Sequence, residues 1–195
     1  ESLGVPHTEV DLILVEGEPA TFGQRLEGGE RVAVYPVFES IDVGPVTRLR
    51  PEPLRVPRFV LDTHLGKLAR LLRLLGFDTL WRSDADDPEL ARAAAEEDRI
   101  LLTRDRGLLK RSIVTRGYCP RSSDPMEQAR EVVRRFDLAE RARPFARCLK
   151  CNGELAPASF EDVAEHVPPR VRERTRHYLR CRSCVQVYWE GTHTG

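Results

Sequence analysis

Four cysteines near the carboxyl end stand in two pairs with the spacing of metal ligands. The pairs are Cys148-Leu-Lys-Cys151, the first knuckle, and Cys181-Arg-Ser-Cys184, the second knuckle. Two such turns complete a tetrahedral shell of thiolates around Zn²⁺, and this shell leaves no open position for a substrate. The pattern therefore predicts a structural zinc site. The alternative is two redox-active thiol pairs, but neither pair begins a helix in a thioredoxin-like setting.

Two aspartates in the middle of the chain suggest a second kind of chemistry. Asp62 directly follows the apolar run FVL, and Asp105 stands three residues after the apolar run ILL. Carboxylate oxygens are ligands for Mg²⁺ or Mn²⁺, and a pair of such ions activates water for phosphodiester cleavage. The alternative is that each aspartate caps a helix or forms a turn after its strand.

Alternating strands and helices would bring these aspartates together. The predicted strands are 59–62, 77–81, 99–103 and a weak one at 113–119, and the predicted helices are 64–76, 87–98, 107–112 and 125–137. Gly76 is expected to end the first helix, and Asp87 to cap the second ahead of Pro88. The alternation predicts an α/β fold in which helices cover both faces of a parallel sheet. Ligands bind at the carboxyl edge of such sheets, where Asp62 and Asp105 are expected.

Composition divides the chain into domains. We expect a β-rich segment at 1–50, a proline-rich linker at 51–58, the α/β domain at 59–145 and the cysteine-containing tail at 146–195. Net charge is zero, but residues 1–57 carry 5 basic and 10 acidic side chains, which argues against nucleic-acid binding there. No apolar run is long enough to cross a bilayer and no signal peptide is evident, so we expect a cytoplasmic protein without a membrane partner. Because the single methionine is Met126, we also expect the sequence to be part of a longer protein.

The region from about residue 57 to 195 resembles a known nuclease family. FVLDTHLGKLARLLRLLGFDT and DDPELARAAAEEDRILLTRDRGLLKR are similar to the PIN-like ribonucleases called Mut-seven-C, and RCLKCNGEL with CRSCVQVYWEGTH resembles the zinc ribbon of that family. The resemblance implies a PIN-type fold and metal-dependent cleavage of RNA. It places the family's acidic positions at Asp62 and Asp105, with Thr103 as the hydroxyl residue.

A third metal ligand is expected near the start of the second helix. The candidates are Asp84, Asp86, Asp87 and Glu89, of which Asp87 fits best by position. Asp124, before Pro125, is the candidate for a fourth ligand. An Asp-Pro pair is also an ordinary helix start, so both residues keep a structural alternative.

Several basic and aromatic side chains are candidates for contact with RNA. Lys67, Arg70, Arg104 and Arg106 lie beside the aspartates in the sequence. Arg73 continues the row of the first helix, and we expect it on a solvated face. His64 is a candidate general base, although local packing at the helix start is the simpler role. Tyr188 and Trp189 either stack on bases or pack the small core of the ribbon, and the sequence does not decide between these roles.

The N-terminal segment resembles the second half of a ubiquitin-like, sulfur-carrier-type β-grasp domain, through SLGVPHTEVDLILVEGEPATF and LEGGERVAVYPVFESIDV. Sulfur carriers end in a free Gly-Gly, whereas this segment runs on into the linker, so carrier chemistry is not expected. A docking role towards a protein partner is the functional alternative to a solubilising appendage.

Taken together, these patterns predict a metal-dependent ribonuclease. Its α/β, PIN-like domain would use Mg²⁺ or Mn²⁺ and RNA, and it would be followed by a zinc ribbon and preceded by a partial β-grasp segment. The alternative function is a non-catalytic RNA-binding adaptor that uses the ribbon and the basic residues.

Overall fold

The computed structural model describes residues 6–36, 46, 48–49 and 57–189. The chain divides into two compact units, one formed by residues 1–69 and 79–141, the other by residues 70–78 and 142–195. The predicted linker at 51–58 lies outside the described residues except for its last two positions. Among the helices in the described ranges, none is both long and apolar enough to span a bilayer.

The first described element is a small antiparallel sheet with the strand order β2-β1-β3. Its strands are β1 (Val10–Val15), β2 (Glu18–Pro19) and β3 (Val32–Pro36). The turn between β1 and β2 uses Glu16 and Gly17, both of which have positive φ. Such values suit the glycine at the second position, because it has no Cβ. This sheet is the described part of the predicted N-terminal β-grasp segment.

A four-stranded parallel sheet forms the centre of the first unit, as predicted. Its order is β5-β4-β6-β7, with β4 at Phe59–Leu61, β5 at Thr79–Trp81, β6 at Ile100–Leu102 and β7 at Gly117–Tyr118. The two inner strands are wholly apolar and buried along their whole length. That pattern is typical of parallel strands covered on both faces. The α/β fold with a parallel sheet flanked by helices is confirmed.

Four helices alternate with these strands. They are α1 (Gly66–Leu74), α2 (Asp87–Glu96), α3 (Arg106–Leu109) and α4 (Pro125–Arg135). The predicted end of α1 is confirmed, since Gly76 has φ +92 and donates its N–H to the carbonyl of Arg73. Phe77 donates to the carbonyl of Leu72, which completes a Schellman motif.

The start of α2 differs from the sequence prediction. Asp86, rather than Asp87, is the N-cap: its carboxylate accepts the N–H of Glu89, and the Glu89 carboxylate accepts the N–H of Asp86. This reciprocal capping box satisfies two N–H groups that the first turn leaves free. Asp87 therefore occupies the first helical position and Pro88 the second, so the predicted capping role of Asp87 was wrong.

Packing between strands and helices holds the sheet in place. One buried cluster consists of Val60, Leu90, Ala91, Ala94, Leu101, Leu108, Leu109 and Val114. Full burial of a large aliphatic side chain contributes about 1.5–3 kcal/mol. Because this cluster includes residues of β4, β6, α2 and α3, it packs both helices against the two inner strands, which run parallel.

The outer strand β7 is covered by the N-terminal segment. A short 3₁₀ turn, His7–Glu9, lies against it. The Glu9 carboxylate accepts the N–H of Cys119 at 3.1 Å, and the His7 Nε2 lies 2.8 Å from the carbonyl oxygen of Val114. Arg135 donates to the carbonyl oxygen of Glu9. Exposed strand edges invite pairing with other chains, so these contacts protect the sheet.

The second unit contains an antiparallel sheet of order β10-β9-β8, here called the ribbon. Its strands are β8 (Leu155–Ala158), β9 (Tyr178–Cys181) and β10 (Val187–Trp189), with two single-turn helices, α5 (Phe160–Val163) and α6 (Pro169–Arg172), between β8 and β9. Four buried residues, Val163, Val167, Tyr178 and Val187, form its core. Trp189 packs partly buried against this core, as one of its two predicted roles required.

Candidate active site and metal centre

Asp62 lies directly after β4, and its carboxylate is held by hydrogen bonds. Oδ2 accepts the hydroxyl of Thr103 at 2.8 Å, and Oδ1 accepts the N–H of His64 at 3.0 Å. Thr63 adds its own hydroxyl to Oδ1. Burial by itself raises the pKa of this carboxyl, but the hydrogen bonds from His64, Thr103 and Thr63 outweigh burial and hold the pKa below its usual value. Asp62 is therefore an anion at neutral pH, with one side-chain orientation fixed by its neighbours.

Thr103 connects Asp62 to Asp105. The threonine is completely buried, and its Oγ1 accepts the N–H of Asp105 at 2.9 Å while donating to Asp62. Asp105 itself is exposed and caps α3 by accepting the N–H of Gly107. The backbone of Asp62 also donates to the carbonyl of Leu102, which continues the β4–β6 ladder. The two aspartates thus stand at the same edge of the sheet, joined through one hydroxyl.

The expected third and fourth acids have structural partners. Asp87 forms a 3.9 Å ion pair with Arg111, and Asp124 caps α4 by accepting the N–H groups of Met126 and Glu127. Asp84 pairs with Arg82 at the surface. In the described ranges, the only group of three or more side chains with converging metal-ligand atoms consists of cysteines. The described carboxylates do not form a cation site of three ligands.

The basic residues of α1 and of the segment after β6 divide into exposed and buried side chains. Lys67, Arg70, Arg104 and Arg106 are exposed. Arg73 is only 4% exposed, so its expected position on a solvated face was wrong. His64 is exposed as well, and its Nδ1 lies 3.0 Å from Oδ1 of Asp62, so it contacts the carboxylate instead of packing into the protein.

Trp81 supports the turn that carries Asp62, a role that sequence reasoning missed. Its indole N–H donates to the carbonyl oxygen of Thr63. Its ring lies against Gly66, where a Cβ would come within 2.6 Å of a ring carbon. The sequence did hold a signal for this contact: a tryptophan ends the second predicted strand, and a glycine stands at the start of α1.

In the second unit the four cysteine sulfurs converge, with all of them within 4.8 Å of one another. Sγ of Cys148 lies 3.6 Å from Sγ of Cys184, and Sγ of Cys151 lies 3.5 Å from Sγ of Cys181. Zn–S bonds of 2.3 Å in a tetrahedron separate the sulfurs by about 3.8 Å. None of the four cysteines is in a disulfide. The donor set and its spacing fit a tetrahedral metal ion.

The backbone of the two knuckles is shaped around these sulfurs. Sγ of Cys181 accepts the N–H groups of Ser183 and Cys184. The residue after each knuckle, Asn152 or Val185, has the left-handed conformation, with φ of 68° and 55° respectively. A Cβ at Gly153 would lie 2.9 Å from the sulfur of Cys181, so only glycine fits there.

Tyr188 lies beside the first knuckle, which is a further contact that the sequence did not reveal. Its hydroxyl is 3.2 Å from Sγ of Cys148 and accepts the N–H of Leu149. Burial raises the pKa of the Cys148 thiol, but the bonds from Tyr188 and from the backbone of the knuckle outweigh burial and lower the pKa to about 6. Burial instead raises the pKa of the Cys151 and Cys184 thiols, so Cys148 ionises more readily than these two ligands.

Comparison with known proteins places this chain in a family of nucleases. The model of the Mut7-C RNAse domain matches residues 57–195, and the model described as Mut7-C ubiquitin matches residues 1–42. The first match covers well over half of the chain, which therefore belongs to the Mut7-C RNAse domain family.

One curated relative is the human protein named exonuclease mut-7 homolog. It is 33% identical over 123 residues, which make up 60% of this chain and 14% of the relative. This chain thus corresponds to a small part of that protein. No solved structure matches the chain significantly. The matches support a nuclease function at the level of the family, and the ubiquitin-like segment is compatible with protein interaction.

Proposed function

We propose that this protein is a ribonuclease that uses a divalent cation to cleave RNA phosphodiester bonds at the carboxyl edge of the parallel sheet. The observation that carries this proposal is the hydrogen-bonded connection from Asp62 through Thr103 to Asp105, in a chain of the Mut7-C RNAse domain family. Two carboxylates at one sheet edge offer the oxygen ligands that Mg²⁺ or Mn²⁺ prefers. A cation bound there supplies activated water and stabilises charge on the leaving oxygen.

The residues of the protein have separate roles in this proposal. Asp62 presents an ionised carboxylate, and the hydroxyl of Thr103 fixes its orientation. Asp105 is exposed next to it and supplies the second carboxylate. Oδ2 of Asp62 accepts one hydrogen bond, from Thr103, and Oδ1 of Asp105 accepts one, from Gly107. Each of these two oxygens therefore keeps a lone pair for a cation, so capping and metal ligation are compatible.

We propose Asp87 as the third ligand and Asp124 as the fourth. Both stand at helix starts that follow strands of the same sheet. The 3.9 Å ion pair of Asp87 with Arg111 is too long for a hydrogen bond, so little free energy is lost when this carboxylate moves. Asp124 accepts two N–H groups and is more firmly held, which makes it the second choice.

RNA would approach this edge along exposed basic side chains. Lys67 and Arg70 lie on α1, and Arg104 and Arg106 lie on either side of Asp105. Guanidinium and ammonium groups bind phosphate oxygens without reading sequence, so these residues would orient the backbone. The four cysteines would hold Zn²⁺ as a structural ion, and the N-terminal segment would bind a protein partner.

The test is cleavage of labelled single-stranded RNA with Mn²⁺, with Mg²⁺ and with EDTA. Asp62→Asn and Asp105→Asn should each lower the cleavage rate by at least about 100-fold, since catalytic carboxylates contribute at this level. Asp137→Asn is the matched control, because Asp137 is exposed beyond the end of α4 and tolerates asparagine at its positive φ. Cleavage that persists in EDTA and in both variants would contradict the proposal.

The second candidate function is a non-catalytic RNA-binding adaptor. It is favoured by one observation, that the described carboxylates do not form a group of three converging ligands. The same experiment separates the two functions. RNA that is bound but stays intact at saturating Mn²⁺ would favour the adaptor.

A further inference from the structure

Arg73 reaches the metal centre from outside the ribbon. Residues 70–78, the second half of α1 and the turn after it, belong to the same unit as the ribbon. The Arg73 guanidinium donates to the carbonyl oxygens of Leu149 at 3.1 Å and Lys150 at 3.2 Å. These are the two residues between Cys148 and Cys151, so one arginine holds the backbone of the first knuckle.

Asp78 holds the flanks of the same knuckle. Its Oδ1 accepts the side-chain N–H of Asn152 at 2.7 Å, and its Oδ2 lies 3.8 Å from a guanidinium nitrogen of Arg147. Asn152 is the residue with positive φ directly after Cys151. Arg73 and Asp78 therefore contact the first knuckle at its centre and at both of its ends.

Tyr188 contacts the sulfur itself. Because its oxygen accepts the N–H of Leu149, the hydroxyl proton is free to point at Sγ of Cys148, 3.2 Å away. A tyrosine hydroxyl that donates to a thiolate lowers the charge density on the sulfur and fixes its position. Trp189, the next residue, has no part in this contact, since it packs against the ribbon core.

The charge of a tetrathiolate centre explains why an arginine should be buried here. Four thiolates around one divalent ion leave two excess negative charges, and Cys148 and Cys181 are buried. Buried charge is costly unless an opposite charge or hydrogen bonds compensate it. Arg73 remains cationic at any pH that a protein tolerates, and its burial next to the knuckle is unfavourable by the same rule. Each group therefore offsets the cost of burying the other when the metal is bound.

We propose that Arg73 and Tyr188 are positioning residues of the metal centre, with Arg73 as its counter-charge and Tyr188 as a hydrogen-bond donor to Cys148. Part of the metal affinity then resides in α1, outside the ribbon. The inference rests on the proposed metal site and adds to it the residues that tune the site.

The experiment is a titration of metal-free, reduced protein with Co²⁺, followed by displacement with Zn²⁺. Removing a group that supports metal ligands typically lowers affinity 10–100-fold, so we expect about this loss for Arg73→Met and about tenfold for Tyr188→Phe. The metal affinity of Arg73→Lys should lie between those of Arg73→Met and the wild type. Lysine keeps the positive charge but lacks the planar set of N–H donors that a guanidinium presents. Arg176→Met removes an exposed positive charge from the same unit and should leave affinity unchanged.

Two further measurements separate positioning from simple loss of folding. In Tyr188→Phe, the thiolate-to-Co²⁺ charge-transfer band should move to lower energy, because the sulfur loses a hydrogen bond. In the wild type, metal should slow hydrogen exchange of the N–H groups of residues 70–75, and Arg73→Met should reduce this protection. Two results are not expected of a variant that binds metal less because part of it is unfolded. One is the band shift, and the other is a loss of protection confined to residues 70–75 at saturating metal.

The outcomes distinguish this inference from the metal site itself. If the wild type binds no Co²⁺ or Zn²⁺, the metal site is wrong and the inference falls with it. If the wild type binds one ion, while Arg73→Met and Tyr188→Phe bind it equally well with an unchanged spectrum, the metal site stands and the roles of Arg73 and Tyr188 are refuted.

Discussion

At the scale of single residues, Thr103 connects the two aspartates of the carboxylate edge. A hydroxyl has one proton and two lone pairs, so it can donate to Asp62 and accept from Asp105 at the same time. Thr103 is also fully buried, which leaves no water to replace it. No apolar residue of similar shape can connect the two aspartates.

Thr103→Val tests this role, because valine keeps the shape and removes the hydroxyl. We expect a loss of about 1–3 kcal/mol in the free energy of unfolding, since two partly buried polar groups lose a partner. The Mn²⁺ concentration needed for cleavage should rise, because Asp62 is no longer held in one orientation. Urea denaturation and metal-dependent cleavage measure the two effects. Thr103→Ser is the control, and an unchanged Thr103→Val protein would refute the role.

Tyr118, at the end of β7, predicts how stability depends on alkaline pH. Burial raises the pKa of its phenol to about 12, and the Glu131 carboxylate, which accepts its hydroxyl proton, adds to this shift. The unfolded chain releases this proton near the ordinary pKa of 10. Above pH 10 the unfolded state therefore binds fewer protons than the folded state, so stability falls as pH rises.

The Tyr118 contribution should be fully present below pH 10 and lost by about pH 12. The measurement is the free energy of unfolding in urea at several pH values from 9 to about 12. Tyr118→Phe should show a shallower decline over this window, because phenylalanine has no proton to release. Parallel curves for the two proteins would show that the phenol does not contribute.

At the scale of elements, the first turn of α1 is fitted to Trp81. The indole binds the carbonyl of Thr63 and lies where a side chain on Gly66 would project. Glycine in a helix costs about 1 kcal/mol relative to alanine, so local propensity opposes it. The close approach of the Trp81 ring explains why a glycine stands at position 66.

Gly66→Ala should therefore destabilise the protein by about 1–3 kcal/mol, the usual cost of forcing extra volume into a packed site. In a Trp81→Leu background the ring is absent, and the same substitution should be neutral or stabilising because alanine favours the helix. The effect of Gly66→Ala on stability is measured in both backgrounds by thermal unfolding of four proteins: the wild type, the two single variants and the double variant. Equal effects of Gly66→Ala in both backgrounds would show that the ring is not the cause.

At the scale of the whole molecule, the two units depend on different sources of stability. The unit with the parallel sheet has a large aliphatic cluster, whereas the ribbon core has four buried residues. So small a core does not by itself offset the entropy of ordering the chain, and metal binding would supply the missing free energy.

Removing metal with a strong chelator should unfold the ribbon and leave the parallel sheet folded. We expect amides of residues 155–189 to lose protection from hydrogen exchange, while amides of β4 and β6 keep theirs. Returning Zn²⁺ should restore the protection of the ribbon. Uniform loss of protection in both units, or none in either, would contradict this separation.

The sequence determined the strands and helices of the parallel-sheet unit and the residue types of the two candidate sites. The apolar runs of β4 and β6 and the Asp-Pro start of α4 encode their structure within a few residues, so pattern and propensity were sufficient. The paired cysteines were equally easy to recognise as metal ligands, because each knuckle is defined by a spacing of three residues in the sequence. The start of α2 was misplaced by one residue, since Asp86 and Asp87 are both capping residues and only the bond to Glu89 decides between them.

Only the tertiary structure decided which side chains meet. The hydroxyl of Thr103 donates to Asp62, which lies 41 positions away in the chain, and Arg73 donates to the carbonyl of Leu149, 76 positions away. Helical periodicity assigned Arg73 to solvent, because periodicity describes one helix and carries no information on what packs against it. A buried charge becomes favourable when distant carbonyl oxygens and thiolates surround it, and folding alone brings those groups to it.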